Sequence, residues 1–582
     1  MKSQKKHPNF LIITTDEQRY PPPYENEEAR QFRIENSKVL ELLRENGMEF
    51  CNHHAAATAC APSRTTIYTG QYPSLHGVSQ TPGIGKSSFD QNMFWLEPNT
   101  VPTLGNYFRQ AGYQTWYRGK WHISYEDIDI PGSQVPLMSN DIDGNPYPER
   151  ISLYEEANRL DKYGFSGWVG PEPHGSLQAN DGSIRDPGFA DQVCRLLKDL
   201  DEKARTGKDE TPFLLVSSFV NPHDIVFAGI NGWFPEFVEA QAAGLLPYVA
   251  PAPTAQESLD SKPRCQKDYV YTYPRMYFPQ PDTDSYRQFY YFLMAEVNKH
   301  IHKVYEALQA TCFAENTIVV FTSDHGETLG AHGGMHQKWY NAYRETLHVP
   351  LIVSNKTLFP EPRKTDQYTS HVDLAPTLLG LAGIDAEEIR KQLSHNHSEA
   401  QPFVGRDLAP FLHGKGKIED TPIYFMTDDN VEVGSQMFNR ISGQAFNAII
   451  QPNHLETVIT KLPELTGDTV WKFTRYFDNP RFYAGATTPG ILSSSGPLAP
   501  GAPGNPDDNT TARFIPDEFE CYNLSLDPLE VENLASPVAK EPLSKLIFTA
   551  LHTVLVEQRR MKRLKPSTMN RGPLGPQGPL RS

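Results

Sequence analysis

An α/β architecture, a large mostly parallel or mixed sheet flanked by helices with a smaller C-terminal α+β domain, follows from three features of the chain. Strand-like apolar runs alternate with helical patterns through the first two thirds, as in a parallel sheet covered on both faces. The 582 residues, 38% hydrophobic and 21% charged, suffice for a large core and more than one domain. Past Asp420 the pattern changes to short strands followed by a terminal helix.

The first apolar run is Asn9–Thr15. A helical stretch over Val101–Ala111 leads into a second run, Gln114–Tyr117. Phe213–Phe219 is the third, and a long helix over about Ser285–Gln309 precedes the fourth, Thr317–Thr322. Leu351–Val353 is a fifth. Pro131–Pro148 and Pro247–Pro281, rich in Pro, Asp and Tyr, read as long loops of the kind that wall a site or form subunit contacts. In the second region Pro422–Thr427, Ala448–Ile450 and Trp471–Phe477 read as strands, Lys540–Glu557 as the terminal helix and Thr487–Asn509 as loop. The expected division is a catalytic domain over 1–415, an α+β subdomain over 416–558 and a basic, Pro/Gly-rich tail over 559–582, disordered or an arm of a homo-oligomer.

The formal net charge of −16 argues against nucleic acid, anionic membrane and polysulfated polymers as partners. A small anionic substrate would need a local positive pocket against that field. The polar start Met1–Pro8 runs straight into a short apolar strand, too brief for a secretory core or a membrane span. A cytoplasmic location is therefore expected, with the six scattered cysteines as free thiols.

Polar clusters follow four of the apolar runs. Asp16-Glu17 ends the first, Lys120 and His122 follow the second, His223 the third, and Asp324-His325 ends the fourth. Ligands of open α/β sheets bind outside the carboxyl ends of the strands, so these groups are expected on one rim. Three crowded carboxylates call for a cation, and oxygen ligands with one imidazole suit Ca²⁺, Mn²⁺ or Mg²⁺. Cys60, in Cys60-Ala61-Pro62-Ser63-Arg64, is expected at a helix N-terminus, with Pro62 in the first turn and Arg64 one turn on. There the dipole favours an anion and should lower the thiol pKa. Lys120, His122, His223 and Lys338 would supply the positive pocket.

Together these pieces resemble the sulfatase branch of the alkaline phosphatase superfamily, whose signature Cys is followed by Pro two positions on and Arg four positions on. The matches are Thr15–Gln18, Cys60–Arg64 with Thr69-Gly70, Gly119–His122, Asn221–His223, Thr322–Glu327, Lys338 leading into Tyr343–Glu345, and Glu520–Leu534. The resemblance implies an alkaline phosphatase-like fold and an arylsulfatase-like sulfuric ester hydrolase. It implies that a maturation enzyme oxidises Cys60 to Cα-formylglycine, whose hydrated aldehyde is the nucleophile. It implies one divalent cation, Ca²⁺ or Mn²⁺ first, held by Asp16, Glu17, Asp324, His325 and the side chain at Cys60. Arg64 and His122 would hold the diol, and Lys120, His223 and Lys338 the sulfate or leaving oxygen. The Asp324-His325 pair, in place of Asp-Asn, resembles the choline-sulfatase and phosphonate monoester hydrolase branches. Small aryl or alkyl sulfate esters are thus the expected substrates, with phosphonate or phosphate esters as the alternative.

Overall fold

The computed structural model describes residues 7–567 apart from 84, 174–176, 278–281, 436, 440–442 and 479–514. Its centre is a seven-stranded sheet in the order β3-β4-β1-β5-β6-β2-β7. The strands are β1 (Asn9–Asp16), β2 (Gly47–His54), β3 (Gln114–Gly119), β4 (Phe213–Pro222), β5 (Thr317–Ser323), β6 (Leu351–Ser354) and β7 (Arg363–Ser370). β3, β4, β1 and β5 run parallel; β6 is antiparallel to both neighbours.

Every residue of β1 is buried, because helices cover both faces. Phe10 and Ile12 point into one core with Ile67, Tyr68, Leu104 and Leu378. Leu11 and Ile13 point into the other, with Val193 and Leu197 of the helix Gly182–Arg205 and Val297, Ile301 and Val304 of the helix Asp284–Gln309. The pleat thus assigns alternate side chains of one strand to two separate cores.

Register fixes the functional rim. Thr15 pairs with Ser323, Asp16 with Pro222, and Gly119 with Ser218. The residues that follow each strand end, Lys120, His223 and Asp324, therefore emerge around Asp16.

A second, antiparallel sheet has the order β11-β10-β9-β8, with β8 (Ile423–Thr427), β9 (His454–Leu462), β10 (Gly467–Phe477) and β11 (Glu518–Asn523). The helix Lys545–Lys562 covers it, burying Leu551 and Leu555 against Met426, Val458 and Phe473. The Thr427 hydroxyl donates to the Thr58 carbonyl at 2.6 Å, which ties this sheet to the segment entering Cys60.

The expected layered α/β architecture is borne out, with local corrections. Ala448–Ile450 is not a strand; β9 lies just beyond it. Pro247–Pro281 is not all loop, since it contains the helix Arg264–Met276. The terminal helix is displaced to Lys545–Lys562, so the expected tail begins inside it. Thr487–Asn509 and the tail from 568 lie outside the described residues. Among the described residues no helix is long and apolar enough to cross a membrane.

Candidate active site

Cys60 is the first residue of the helix Cys60–Thr69, all ten residues of which are buried. Its Sγ lies 3.2 Å from His325 Nε2 and 3.5 Å from Asp16 Oδ1. One ligand atom each of Asp16, Cys60, Asp324 and His325 falls within 4.8 Å of all the others. Residues more than 260 positions apart thus meet at one point, as the strand-end argument requires.

Arg64 organises the two acids. Its Nη2 donates to Asp16 Oδ2 at 3.0 Å and its Nε to Asp324 Oδ2 at 2.9 Å. Its Nη1 reaches Ser218 Oγ and the Lys120 carbonyl. The guanidinium is therefore engaged with the two carboxylates and the Lys120 turn. Lys120 Nζ lies 2.7 Å from Asp16 Oδ2. Asp16 and Asp324 each keep an Oδ1 turned toward His325, 3.7 Å from its Nε2.

Glu17 stands beside this group. It forms a second cluster with Asp16 and His223, and its Oε2 accepts from Lys338 Nζ at 2.9 Å. Burial, against Lys338 and with the buried Glu327 carboxyl bonded beside it, raises the Glu17 carboxyl well above the usual range, whereas His223 Nδ1 is buried with no hydrogen-bond partner. Such an orphan is costly unless a ligand or cation satisfies it. Glu17 adopts φ 71°, a left-handed backbone that turns its carboxylate back over the rim. His122 (φ 57°) continues the Lys120 turn, with its ring beside Trp95.

Burial raises the Asp16 carboxyl, but Lys120 and Arg64 outweigh it and hold the group well below the usual carboxylate range. Asp324 is pushed up to about 7 by burial and by Asp16, against Arg64. Burial, with Lys338 or Lys120 nearby, keeps His325 and His223 neutral, the form in which imidazole binds a metal. The expectation of a depressed Cys60 thiol is reversed. Burial and the Asp16 carboxylate push it well up and override the helix N-terminus, so the unmodified side chain is a neutral thiol.

Several supporting groups were assigned no role from the sequence, Ser63 inside the Cys60–Arg64 motif among them. The Ser63 hydroxyl donates to the Asp324 carbonyl at 2.5 Å, and His371 Nε2 lies 3.0 Å from the Ser323 carbonyl. Buried Glu172 accepts from the Trp121 amide at 3.1 Å and so pins the turn carrying Lys120 and His122.

A sulfatase family model matches residues 8–384. An uncharacterized sulfatase, YidJ, of Escherichia coli (strain K12) is 29% identical over 392 residues, covering 66% of this chain and 69% of that protein. The choline-sulfatase of Rhizobium meliloti (strain 1021) is 26% identical over 428 residues, covering 71% and 73%. Among solved structures, a 2-O GAG sulfatase shares the fold at a TM-score of 0.58 and 18% identity, over 96% of this chain and 93% of that one. With strand-end acids, signature helix and matched span in agreement, this chain belongs to the sulfatase family.

Proposed function

We propose that this sulfatase hydrolyses small aryl or alkyl sulfate esters to alcohol and sulfate, using formylglycine made from Cys60 and one divalent cation, Ca²⁺ or Mn²⁺. The observation that carries this reading is the convergence of Asp16, Cys60, Asp324 and His325 within 4.8 Å, ringed by Arg64, Lys120 and Lys338. The donor set fits a hard cation: carboxylate oxygens and one neutral imidazole, with the Glu17 carboxyl in the adjoining cluster. Asp16, Asp324 and His325 would hold the ion, with Glu17 completing the set from the adjoining cluster. When present, the cation supplies positive charge beside the reacting centre, and the aldehyde supplies, on hydration, the attacking hydroxyl.

The remaining tasks fall to the chain's own residues. Arg64 fixes the two aspartates so that each presents one oxygen to the ion and the other to the guanidinium. Lys120 and Lys338 offer ammonium donors to the oxygens of the sulfuryl group and to the departing alcohol oxygen as the S–O bond breaks. His223, with Nδ1 unpartnered and turned to the same cluster, offers a further contact there. The relative named choline-sulfatase supports the small-ester reading.

The test compares kcat/KM on aryl sulfate and aryl phosphonate esters for enzyme matured in a host with the formylglycine-generating enzyme. Sulfate should be preferred, and Cys60→Ala should lose several orders of magnitude of rate. Mass spectrometry of the peptide carrying Cys60 should show the thiol replaced by an aldehyde. A clear preference for the phosphonate would make the protein a phosphonate ester hydrolase. A Cys60→Ala variant as fast as wild type would refute the nucleophile.

A further inference from the structure

Lys338 lies in a stretch, 335–343, that is neither helix nor strand. Two non-glycine residues in it, Gln337 (φ 66°) and Tyr340 (φ 62°), adopt left-handed backbone on either side of Lys338. Such conformations persist only where the surroundings over-determine them. What holds the stretch differs on its two sides.

Upstream of Lys338 the contacts come from the catalytic part of the chain. The Tyr269 hydroxyl donates to the His336 carbonyl at 2.9 Å, and the Gln337 amide donates to Glu327 Oε1 at 2.7 Å. Downstream, Tyr343 bonds Gln266 Oε1 at 2.8 Å and stacks on His332, and the remaining contacts come from the small sheet, the loop leaving β8 and the segment after β11. The Trp339 indole N–H donates to Asp429 Oδ2 at 3.0 Å. The Tyr340 hydroxyl donates to Glu432. Lys472 Nζ donates to the Ala342 carbonyl at 2.7 Å. The Tyr343 hydroxyl lies 2.8 Å from Glu520 Oε1, and the Arg344 amide donates to Glu530 Oε2 at 2.7 Å. All five of these C-terminal side chains are buried, and Lys472 also pairs with Glu530 at 2.5 Å. None of them belongs to the cluster around Cys60.

We propose that the small C-terminal sheet works as a clamp that positions Lys338, with Asp429 as the positioning residue nearest to it. The Lys338 ammonium sits 4.8 Å from the centroid of the Trp339 ring, and Asp429 fixes that ring through its N–H. Asp429 also accepts from the Thr81 amide at 3.2 Å, so it cannot follow Trp339 if the loop drifts. The Thr427 contact to Thr58 anchors the same loop two residues before Cys60. Lys338 is thereby indexed to the nucleophile through an element outside the cluster around Cys60. A displacement of about 1 Å at a reacting group costs up to ~100-fold in rate, so the clamp acts on kcat.

This inference rests on the assignment of Lys338 to the reaction, and the experiment separates the two. Full-length, matured, metal-loaded enzyme is assayed on an aryl sulfate as wild type, Lys338→Ala, Asp429→Ala and the double variant. Asp429→Ala should lower kcat about tenfold or more with little change in KM. In the Lys338→Ala background it should cost nothing further, because it acts only through that lysine. Multiplying effects in the double variant would overturn the clamp while leaving Lys338 in the reaction. Wild-type activity of Lys338→Ala would instead remove the lysine, and with it the clamp's purpose. If Asp429→Ala does not fold, Trp339→Phe, which keeps an aromatic face beside Lys338 but loses the N–H together with the pyrrole ring, takes its place in the same cycle under the same criteria.

Discussion

His332 is held between two carboxylates, with Nδ1 2.9 Å from Glu257 and Nε2 3.3 Å from Glu345, and its ring stacks on Tyr343 at 3.5 Å. Burial alone would lower its pKa, but the two acids win and raise it from 6.5 to about 9. The same contact, against burial, depresses Glu345 to about 2. The folded chain therefore binds the His332 proton more tightly than the unfolded chain does. Its contribution is complete below pH 6.5 and is lost as pH rises through about 9. The Glu345 contribution is complete above pH 4.5 and is lost as pH falls toward about 2. Urea denaturation should show a stability plateau between those values and an alkaline decline worth at most about 3 kcal/mol. His332→Gln should flatten the alkaline decline; an unchanged pH profile in that variant would show that the pair is not its source.

At the scale of elements, the turn after β3 depends on one glycine. Gly119 adopts φ 102°, and a Cβ built there would lie 1.8 Å from the Ser218 carbonyl oxygen on β4. The Lys120 amide donates to that same oxygen at 3.0 Å. Gly119→Ala must push the turn away from β4 and carry Lys120 off Asp16. It should cost more than about 2 kcal/mol and at least ~10-fold in kcat. Gly112→Ala is the control, since it is also left-handed (φ 89°) but has nothing within 4 Å, and it should cost only about 1–2 kcal/mol with kcat intact. Equal behaviour of the two in melting temperature and kcat would mean that the Ser218 contact does not matter. β1, β4 and β5 were readable because each is fully buried and carries an apolar run, as within Phe213–Phe219. β7, Arg-Lys-Thr-Asp-Gln-Tyr-Thr-Ser, is an edge strand exposed over most of its length and carries no apolar period, so it gave no signal. Pro274 inside Arg264–Met276 masked a real helix, whose tyrosines at 269 and 273 are buried while Tyr271 faces out. The motif residues were legible because chemistry restricts residue type at strand ends. Glu172 and Asp429 were not, because they act on a backbone group or on another side chain and carry no spacing rule.

Taken as a whole, the molecule is acidic, with a formal charge of −16, yet its reaction centre is not. There, three carboxylates, Asp16, Glu17 and Asp324, face three cations, Arg64, Lys120 and Lys338, all of them buried. Burial and neighbouring acids raise both Glu17 and Asp324 toward the neutral form, so the cluster carries no uncompensated negative charge and the chain need not unfold to relieve repulsion when the ion is absent. A bound dication would tip the same pocket positive and match it to an anionic ester, against the field of the remaining surface. Dialysis against a chelator should therefore abolish turnover while leaving a folded, cooperatively melting protein. Re-addition of Ca²⁺ or Mn²⁺ should restore activity and raise the melting temperature by a few degrees, since ligand at a hundred times its Kd adds about 2.7 kcal/mol. Circular dichroism melts with and without chelator, read beside initial rates, make the measurement. Collapse of the fold on chelation would show that the balance of arginine and lysines against the acids is insufficient without the ion. Indifference of both rate and melting temperature would show that Asp16, Asp324 and His325 hold no metal.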